Sequence, residues 1–328
     1  MATSRKTPST TSRYSKRWNA DRALPARTLV IGATGQLGQD IARVFAESSE
    51  FEVQTAARSK ADFAIDLNAP ASIHEVIEKH SRPRIVINTA AAHNVPLCES
   101  GPEEAWRVNA TGVAALARAS TEVGARLIHV STDYVFGAQP RKDIEGRSCP
   151  WLEHDLPAPL NVYGASKLAG EHLLAAACED YAIVRSSGLY GHSPCLAKGG
   201  RNFVKQMLHL GEERGEVTVV TDEVSTPTST LRLAHQIRTL AMSEAQGIFH
   251  ATCQGSCSWN EFATAIFEES KQPIPVLPAK SADFPSPVRR PAYSVLENRR
   301  LQELGLDIMP HWRDALREYL RSISSVDS

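Results

Sequence analysis

No apolar run in this chain is long enough to cross a bilayer, which excludes an integral helical membrane protein. The start lacks the apolar stretch of a secretory signal, so the cytoplasm is the expected compartment. The six cysteines (Cys98, Cys149, Cys178, Cys195, Cys253, Cys257) are scattered. Cys253 and Cys257 have three residues between them, but no second pair and no histidine cluster completes a zinc site. Reduced thiols and no metal are therefore expected. A basic excess is missing as well: 36 Lys and Arg face 37 Asp and Glu, for a net charge of −1. Residues 1–27 hold seven basic residues against Asp21 alone, which leaves the remainder with 29 basic and 36 acidic residues. A body of that sign gives no support for a nucleic-acid partner. The leading segment is Ser/Thr-rich and poor in large aliphatics, so it is expected to be a disordered basic tail. An organellar transit peptide shares that composition, but a solvated tail or an overlong start before the first strand is the expectation.

What is present is a body large enough to bury a sizeable core. From Thr28 onward short apolar runs alternate with longer helical patterns, and no internal repeat or low-complexity run interrupts them. Candidate strands are 28–32, 52–57, 84–89, 126–131, 181–185, 217–220 and 247–251. Candidate helices are 36–48, 71–80, 103–123, 161–178, 201–213, 230–243 and 259–270, with short ones near 297–304 and 311–322. The Pro-rich stretch from Pro273 to Pro291 reads as extended, turn-laden backbone. The alternation predicts an α/β fold, a doubly wound parallel sheet of Rossmann type, with a smaller C-terminal lobe. Ligands of such a sheet gather at the carboxyl ends of its strands.

Those strand exits carry the informative residues. Leu29 to Ile31 stops at Gly32-Ala-Thr-Gly35-Gln-Leu-Gly38, after which Leu37, Ile41, Val44 and Phe45 fall at helical spacing. Glycines in a strand-to-helix turn let the backbone approach a pyrophosphate resting on the helix N-terminus. The second strand ends at Ala57-Arg58, where an acidic residue would bind the 2′-hydroxyl of NAD; alanine followed by arginine suits a 2′-phosphate better. NADPH is therefore the expected cofactor, with NADH the alternative. The third strand leaves through Asn88-Thr-Ala-Ala-Ala-His93, residues small enough for a nicotinamide ribose or for plain core. The fourth delivers Ser131-Thr132-Asp133, whose hydroxyl can hydrogen-bond a substrate oxygen that gains charge. Tyr163 and Lys167 lie one turn apart on a predicted helix, and an ammonium beside a phenol is expected to pull the phenol pKa towards neutrality. Such a phenol exchanges protons with a substrate oxygen.

These motifs resemble the extended short-chain dehydrogenase/reductase superfamily and, within it, the dTDP-4-dehydrorhamnose reductases, over roughly residues 28–322. The likeness rests on Gly32–Gly38, Val108-Asn-Ala-Thr111, Ser131-Thr-Asp-Tyr-Val-Phe136 and Pro159-Leu-Asn-Val-Tyr-Gly-Ala-Ser-Lys-Leu-Ala-Gly-Glu171. Asn202-Phe203, Pro227-Thr228 and Arg290-Pro-Ala-Tyr-Ser294 extend it. It implies hydride transfer from NADPH to the C4 ketone of a nucleotide-linked 6-deoxy-4-ketohexose. By the same resemblance Tyr163 protonates the alkoxide, Lys167 holds the nicotinamide ribose and Thr132 polarises the carbonyl. Gly32, Gly35, Gln36, Leu37 and Gly38 meet the pyrophosphate, Asp66 and Leu67 the adenine, and Ala91, Ala92, His93 and Val130 the nicotinamide side. Asp133 and Asn202 meet the substrate, and Arg290 is the candidate phosphate clamp. A nucleotide-binding domain over 28–180, joined by strands near 181–185 and 247–251, and a mainly substrate-binding lobe over 186–328 follow as expectations, with a homodimer compatible with both.

The chain departs from the pattern in places. Gly188 stands where many relatives carry Trp, His93 is followed by Asn94-Val-Pro-Leu-Cys98 rather than an Asp-Lys pair, and the loop Gly191 to Gly200 is long. An epimerase or epimerase/reductase on a related nucleotide sugar shares the fold and the Tyr/Lys pair. A non-catalytic regulatory subunit like that of methionine adenosyltransferase is the alternative from another class.

Overall fold

A computed structural model of the chain describes residues 24–194 and 199–324. Most of the basic segment 1–27 and Cys195 in the 191–200 loop thus lie outside the described residues. The central sheet consists of β1 (Ala26–Ile31), β2 (Phe51–Ala57), β3 (Phe63–Ala64), β4 (Ile85–Asn88), β5 (Arg126–Thr132), β6 (Tyr181–Ser186) and β7 (Gly247–His250). All neighbours pair in parallel, in the order β7-β6-β5-β4-β1-β2-β3. The chain winds outward from β1 in one direction and then in the other. Between β1 and β4 that reversal opens a crevice at the strands' carboxyl ends.

The main helices are α1 (Gln36–Ala46), α2 (Gly112–Glu122), α3 (Val162–Ala177), α4 (Phe203–Arg214), α5 (Thr230–Ala241), α6 (Trp259–Glu269) and α7 (Trp312–Ser324). Strand side chains alternate between the two faces, and both faces are covered. Val30, Ile87, Ile128 and Val184 meet Ile41 and Val44 of α1 and Leu233 and Ile237 of α5. Leu29, Val86, Leu127 and Ile183 meet Val113 and Leu116 of α2 and Leu174 of α3. A sheet covered on both faces explains why its strands read as continuous apolar runs. A separate core joins Val204 of α4, Phe262 and Ile266 of α6 and Leu316 of α7.

Several sequence expectations are revised here, among them the helix over 71–80, which is divided into Pro70–His74 and a wider π-type turn over Glu75–Ser81. The strand Val217–Val220 forms, but it pairs with Val276–Ala279 outside the central sheet, and the Pro-rich stretch supplies that partner. The helix expected over 103–123 is divided into Pro102–Trp106, a wider π-type turn over Arg107–Thr111, and α2. A further short helix, Val95–Ser100, follows the Asn94 cap. Among the described residues, no helix is long and apolar enough to cross a membrane.

One ion pair lies deep in this body. Arg185 of β6 meets Glu171 of α3 at 2.6 Å, with each side chain 2 % exposed. Ser131 Oγ donates to Glu171 Oε1 at 2.5 Å, and the guanidinium lies over the Phe136 ring. Removing one member of a buried pair strands the other's charge. Glu171→Leu should therefore destabilise the protein by about 3–5 kcal/mol, read as a lower urea midpoint at unchanged slope. An unchanged midpoint would contradict the assignment.

Candidate active site

Helix α3 is held against the exit of β5. Asn161 caps it, its Oδ1 accepting the Gly164 N–H at 2.9 Å while its Nδ2 donates to Arg289 O at 2.9 Å. A Cβ on Gly164 would stand 2.2 Å from Tyr134 O, so the close approach requires glycine. Tyr163 and Lys167 thereby reach the crevice beside Thr132. The Lys167 amine, 1 % exposed, donates to Val130 O at 2.7 Å and stands 3.0 Å from His129 Nε2. Thr132 Oγ1 accepts the Tyr134 N–H at 3.2 Å and donates to Asp133 Oδ1 at 3.1 Å. Ser294 Oγ donates to the other Asp133 oxygen at 2.6 Å.

The electrostatics correct one expectation. Tyr163 is not drawn towards neutrality: burial raises its pKa well above the ordinary value, Thr132 opposes the rise, and Asp133 adds to it. The physical reason is that the Lys167 amine is turned to Val130 O and His129, so burial dominates the phenol. Lys167 is itself lowered to about 8 by burial, with Glu171 opposing. A phenol in this setting keeps its proton, which is the form a proton donor needs. Asp133 is raised to about 6 by burial, against hydrogen bonds that include Ser294 and Thr132.

A cavity of about 910 Å³ runs along the strand exits. Gly32, Gly35, Gln36, Leu37, Gly38, Arg58, Asp66, Leu67, Ala91, Ala92, His93 and Val130 line it, together with Thr132, Asp133, Tyr163, Lys167 and Arg290. Asn202 is not among the lining residues. It is 3 % exposed, its Oδ1 caps α4 and its Nδ2 donates to Gly191 O at 2.7 Å, so its neighbour Phe203 lines the cavity instead. The Gln36 side chain also donates to Gly191 O, at 3.1 Å.

A dinucleotide suits this cleft. Helix α1 starts at Gly35 with no side-chain cap, so its first N–H groups are open to an anion. A Cβ on Gly38 would lie 2.2 Å from Gly32 O, so the turn and helix close into a cradle that only glycine allows. Arg58 lines the cavity together with Ala57, Asp66 and Leu67. At the other end Phe203 and Trp259 lie with ring centroids 4.6 Å apart, an aromatic surface although Gly188 carries none.

Sequence reading passed over several participants. His129 and Asn88 are wholly buried polar residues on β5 and β4, and a polar residue inside an apolar strand was the available signal. Asn109 clamps Ala92, donating to its carbonyl and accepting its N–H, both at 2.9 Å.

The doubly wound sheet, the glycine turn and the Tyr/Lys helix at the switch-point crevice define an extended short-chain dehydrogenase/reductase. More narrowly, the chain belongs to the family described as RmlD substrate binding domain, which matches residues 26–325. It is 39 % identical to the spore coat polysaccharide biosynthesis protein SpsK of Bacillus subtilis over 91 % of this chain and 98 % of that one. It is 36 % identical to dTDP-4-dehydrorhamnose reductase of Escherichia coli, covering 90 % and 97 % of the two chains. The crystal structure of dTDP-4-dehydrorhamnose reductase from Bacillus anthracis in complex with NADP superposes with a TM-score of 0.82 at 34 % identity, over 91 % of this chain and 99 % of that one.

Asp133 offers a check on this geometry. Its raised pKa means the folded state holds the proton longer than the unfolded state. Its contribution to stability is thus present below the ordinary value of 3.8 and is lost as pH rises through about 6. Carboxyl-carbon NMR should place its midpoint near 6; a midpoint near 4, the ordinary range, would contradict the buried arrangement.

Proposed function

We propose that this protein reduces the C4 ketone of a nucleotide-linked 6-deoxy-4-ketohexose, converting dTDP-4-dehydro-L-rhamnose to dTDP-L-rhamnose with NADPH. The observation that carries this reading is the half-buried Tyr163 beside Thr132, in one cavity with a glycine cradle for a dinucleotide. The relatives named as dTDP-4-dehydrorhamnose reductases support the substrate. A reduced nicotinamide supplies the hydride when bound. Gly32, Gly35 and Gly38 let the backbone receive the pyrophosphate, and Arg58 takes the 2′-phosphate where an acidic residue would repel it. Asp66 and Leu67 flank the adenine, while Ala91, Ala92, His93 and Val130 leave room for the nicotinamide ribose, which Lys167 holds.

The remaining residues act on the substrate. Thr132 and Tyr163 share the carbonyl oxygen, steadying the charge that develops there. Tyr163 then gives its proton to that oxygen, which becomes the hydroxyl of the product. Asp133, paired with Ser294, meets the sugar, and Arg290 takes the diphosphate as a bidentate cation. The lobe over 186–328, with Phe203 and Trp259, forms the substrate side. Free thiols in the five described cysteines fit a cytoplasmic protein.

Tyr163→Phe should lower kcat at least a hundredfold, as order of magnitude, while NADPH binding measured by fluorescence titration stays near that of the parent. Full turnover would remove Tyr163 from the donor role. Ala57→Asp should lower the ratio of kcat/KM for NADPH over NADH by at least about tenfold, since a carboxylate accepts a ribose hydroxyl and repels a phosphate. An unchanged ratio would mean the 2′-phosphate is read elsewhere. An assay with purified dTDP-4-dehydro-L-rhamnose should consume one NADPH for each sugar reduced; sugar turnover without cofactor consumption would indicate epimerisation instead.

A further inference from the structure

Hydride and proton have to meet at one carbonyl, yet they come from two separate pieces of chain. The segment after β4 forms the wall where the nicotinamide ribose fits, and helix α3 carries Tyr163. A ring of hydrogen bonds joins these two pieces. Asn109 accepts the Ala92 N–H and donates to the Ala92 carbonyl, both at 2.9 Å. Its amide nitrogen also donates to Ser166 Oγ at 3.0 Å, and that hydroxyl donates to Tyr163 O at 2.9 Å. From the other side the Cys98 thiol donates to Ala92 O at 3.4 Å. Its neighbour Glu99, half-buried on the short helix Val95–Ser100, accepts the Val162 N–H on Oε2 at 2.9 Å. The wall is thus fastened to the carbonyl of Tyr163 and to the N–H of the residue before it.

Glu99 closes this ring. The Val162 N–H is the first of α3 and has no acceptor inside the helix. The Asn161 cap is occupied with Gly164, so it does not set the distance from α3 to the wall. A carboxylate also suits the positive end of a helix. Asn94 braces the turn that offers Glu99, its side chain accepting the Leu97 N–H at 3.2 Å. Glu99 does not itself line the cavity, so any effect on the reaction passes through Tyr163.

We propose that Glu99 is a positioning residue: by holding the first N–H of α3 it keeps the Tyr163 phenol in register with the wall that seats the nicotinamide. Its use rests on the reductase reading, in which proton and hydride reach the same carbonyl. A reacting group displaced by about 1 Å loses as much as a hundredfold in rate, so a tie at the root of Tyr163 has leverage on the chemistry.

Three substitutions and two readouts test this. Glu99→Ala should slow single-turnover oxidation of NADPH by the ketosugar about ten- to a hundredfold. The Kd for NADPH and the KM for the ketosugar should stay within about threefold, because the glycine cradle, Arg58 and Arg290 are untouched. Glu99→Gln keeps an acceptor oxygen without the charge and should recover the rate to within about threefold of the parent. In amide hydrogen exchange of the full chain without ligand, the Val162 N–H should exchange at least about tenfold faster in Glu99→Ala than in the parent or in Glu99→Gln. Glu99→Asp keeps the charge but stops one methylene short; it should behave as Glu99→Ala does, and it decides the matter if Glu99→Ala does not fold. Unchanged Val162 exchange, an unchanged single-turnover rate, or a Glu99→Gln variant as slow as Glu99→Ala overturns the proposal. If the parent reduces no ketosugar, the proposed function falls instead, and Val162 exchange still shows whether Glu99 makes the tie.

Discussion

The whole site depends on how closely helix α3 can lie against the exit of β5. Two polar ties and a missing side chain set that distance. Lys167 reaches Val130 O, Glu171 receives Ser131, and Gly164 lets the helix backbone come within contact of Tyr134 O. Tyr163 projects from the same helix face as Lys167, so the approach that seats the lysine also brings the phenol beside Thr132. Burial is then the dominant electrostatic fact. It keeps Tyr163 protonated, lowers Lys167 and raises Asp133.

Buried charge in this region is matched rather than avoided. Glu171 and Arg185 neutralise each other one turn beyond Lys167, and Phe136 offers its ring face to the guanidinium. The start of helix α1 is tied to α4 and α7 through one carbonyl. Gln36, Asn202 and Tyr319 all donate to Gly191 O, joining helix α1 to α4 and α7. Thr230 adds a hydroxyl to Asp40 of α1 at 2.5 Å.

Much of this was legible because it is local. Strands β1, β2, β4, β5, β6 and β7 are apolar runs ended by turn residues, and the glycine turn and the Tyr163/Lys167 spacing are short-range patterns. What escaped depends on long-range placement. Val217–Val220 reads like any sheet strand, but its partner is a Pro-rich segment that sequence patterning takes for loop. The wider turn at Arg107–Thr111 follows no local breaker; it brings Asn109 to Ala92 across the crevice. Asn202 looks like a ligand residue beside Phe203, yet it serves as a helix cap. The Tyr163 pKa was misjudged for the same reason: sequence spacing gives the neighbour, while the direction of the lysine amine and the depth of burial come only with the fold.

The central claim is that this cleft passes a hydride to a sugar carbonyl while Tyr163 supplies the proton. The most direct measurement is mass spectrometry of the product formed from dTDP-4-dehydro-L-rhamnose and NADPH carrying deuterium on the transferring face. One deuterium at C4 of the sugar for each cofactor oxidised is the predicted result. A product without deuterium, or unchanged sugar beside intact cofactor, would contradict it.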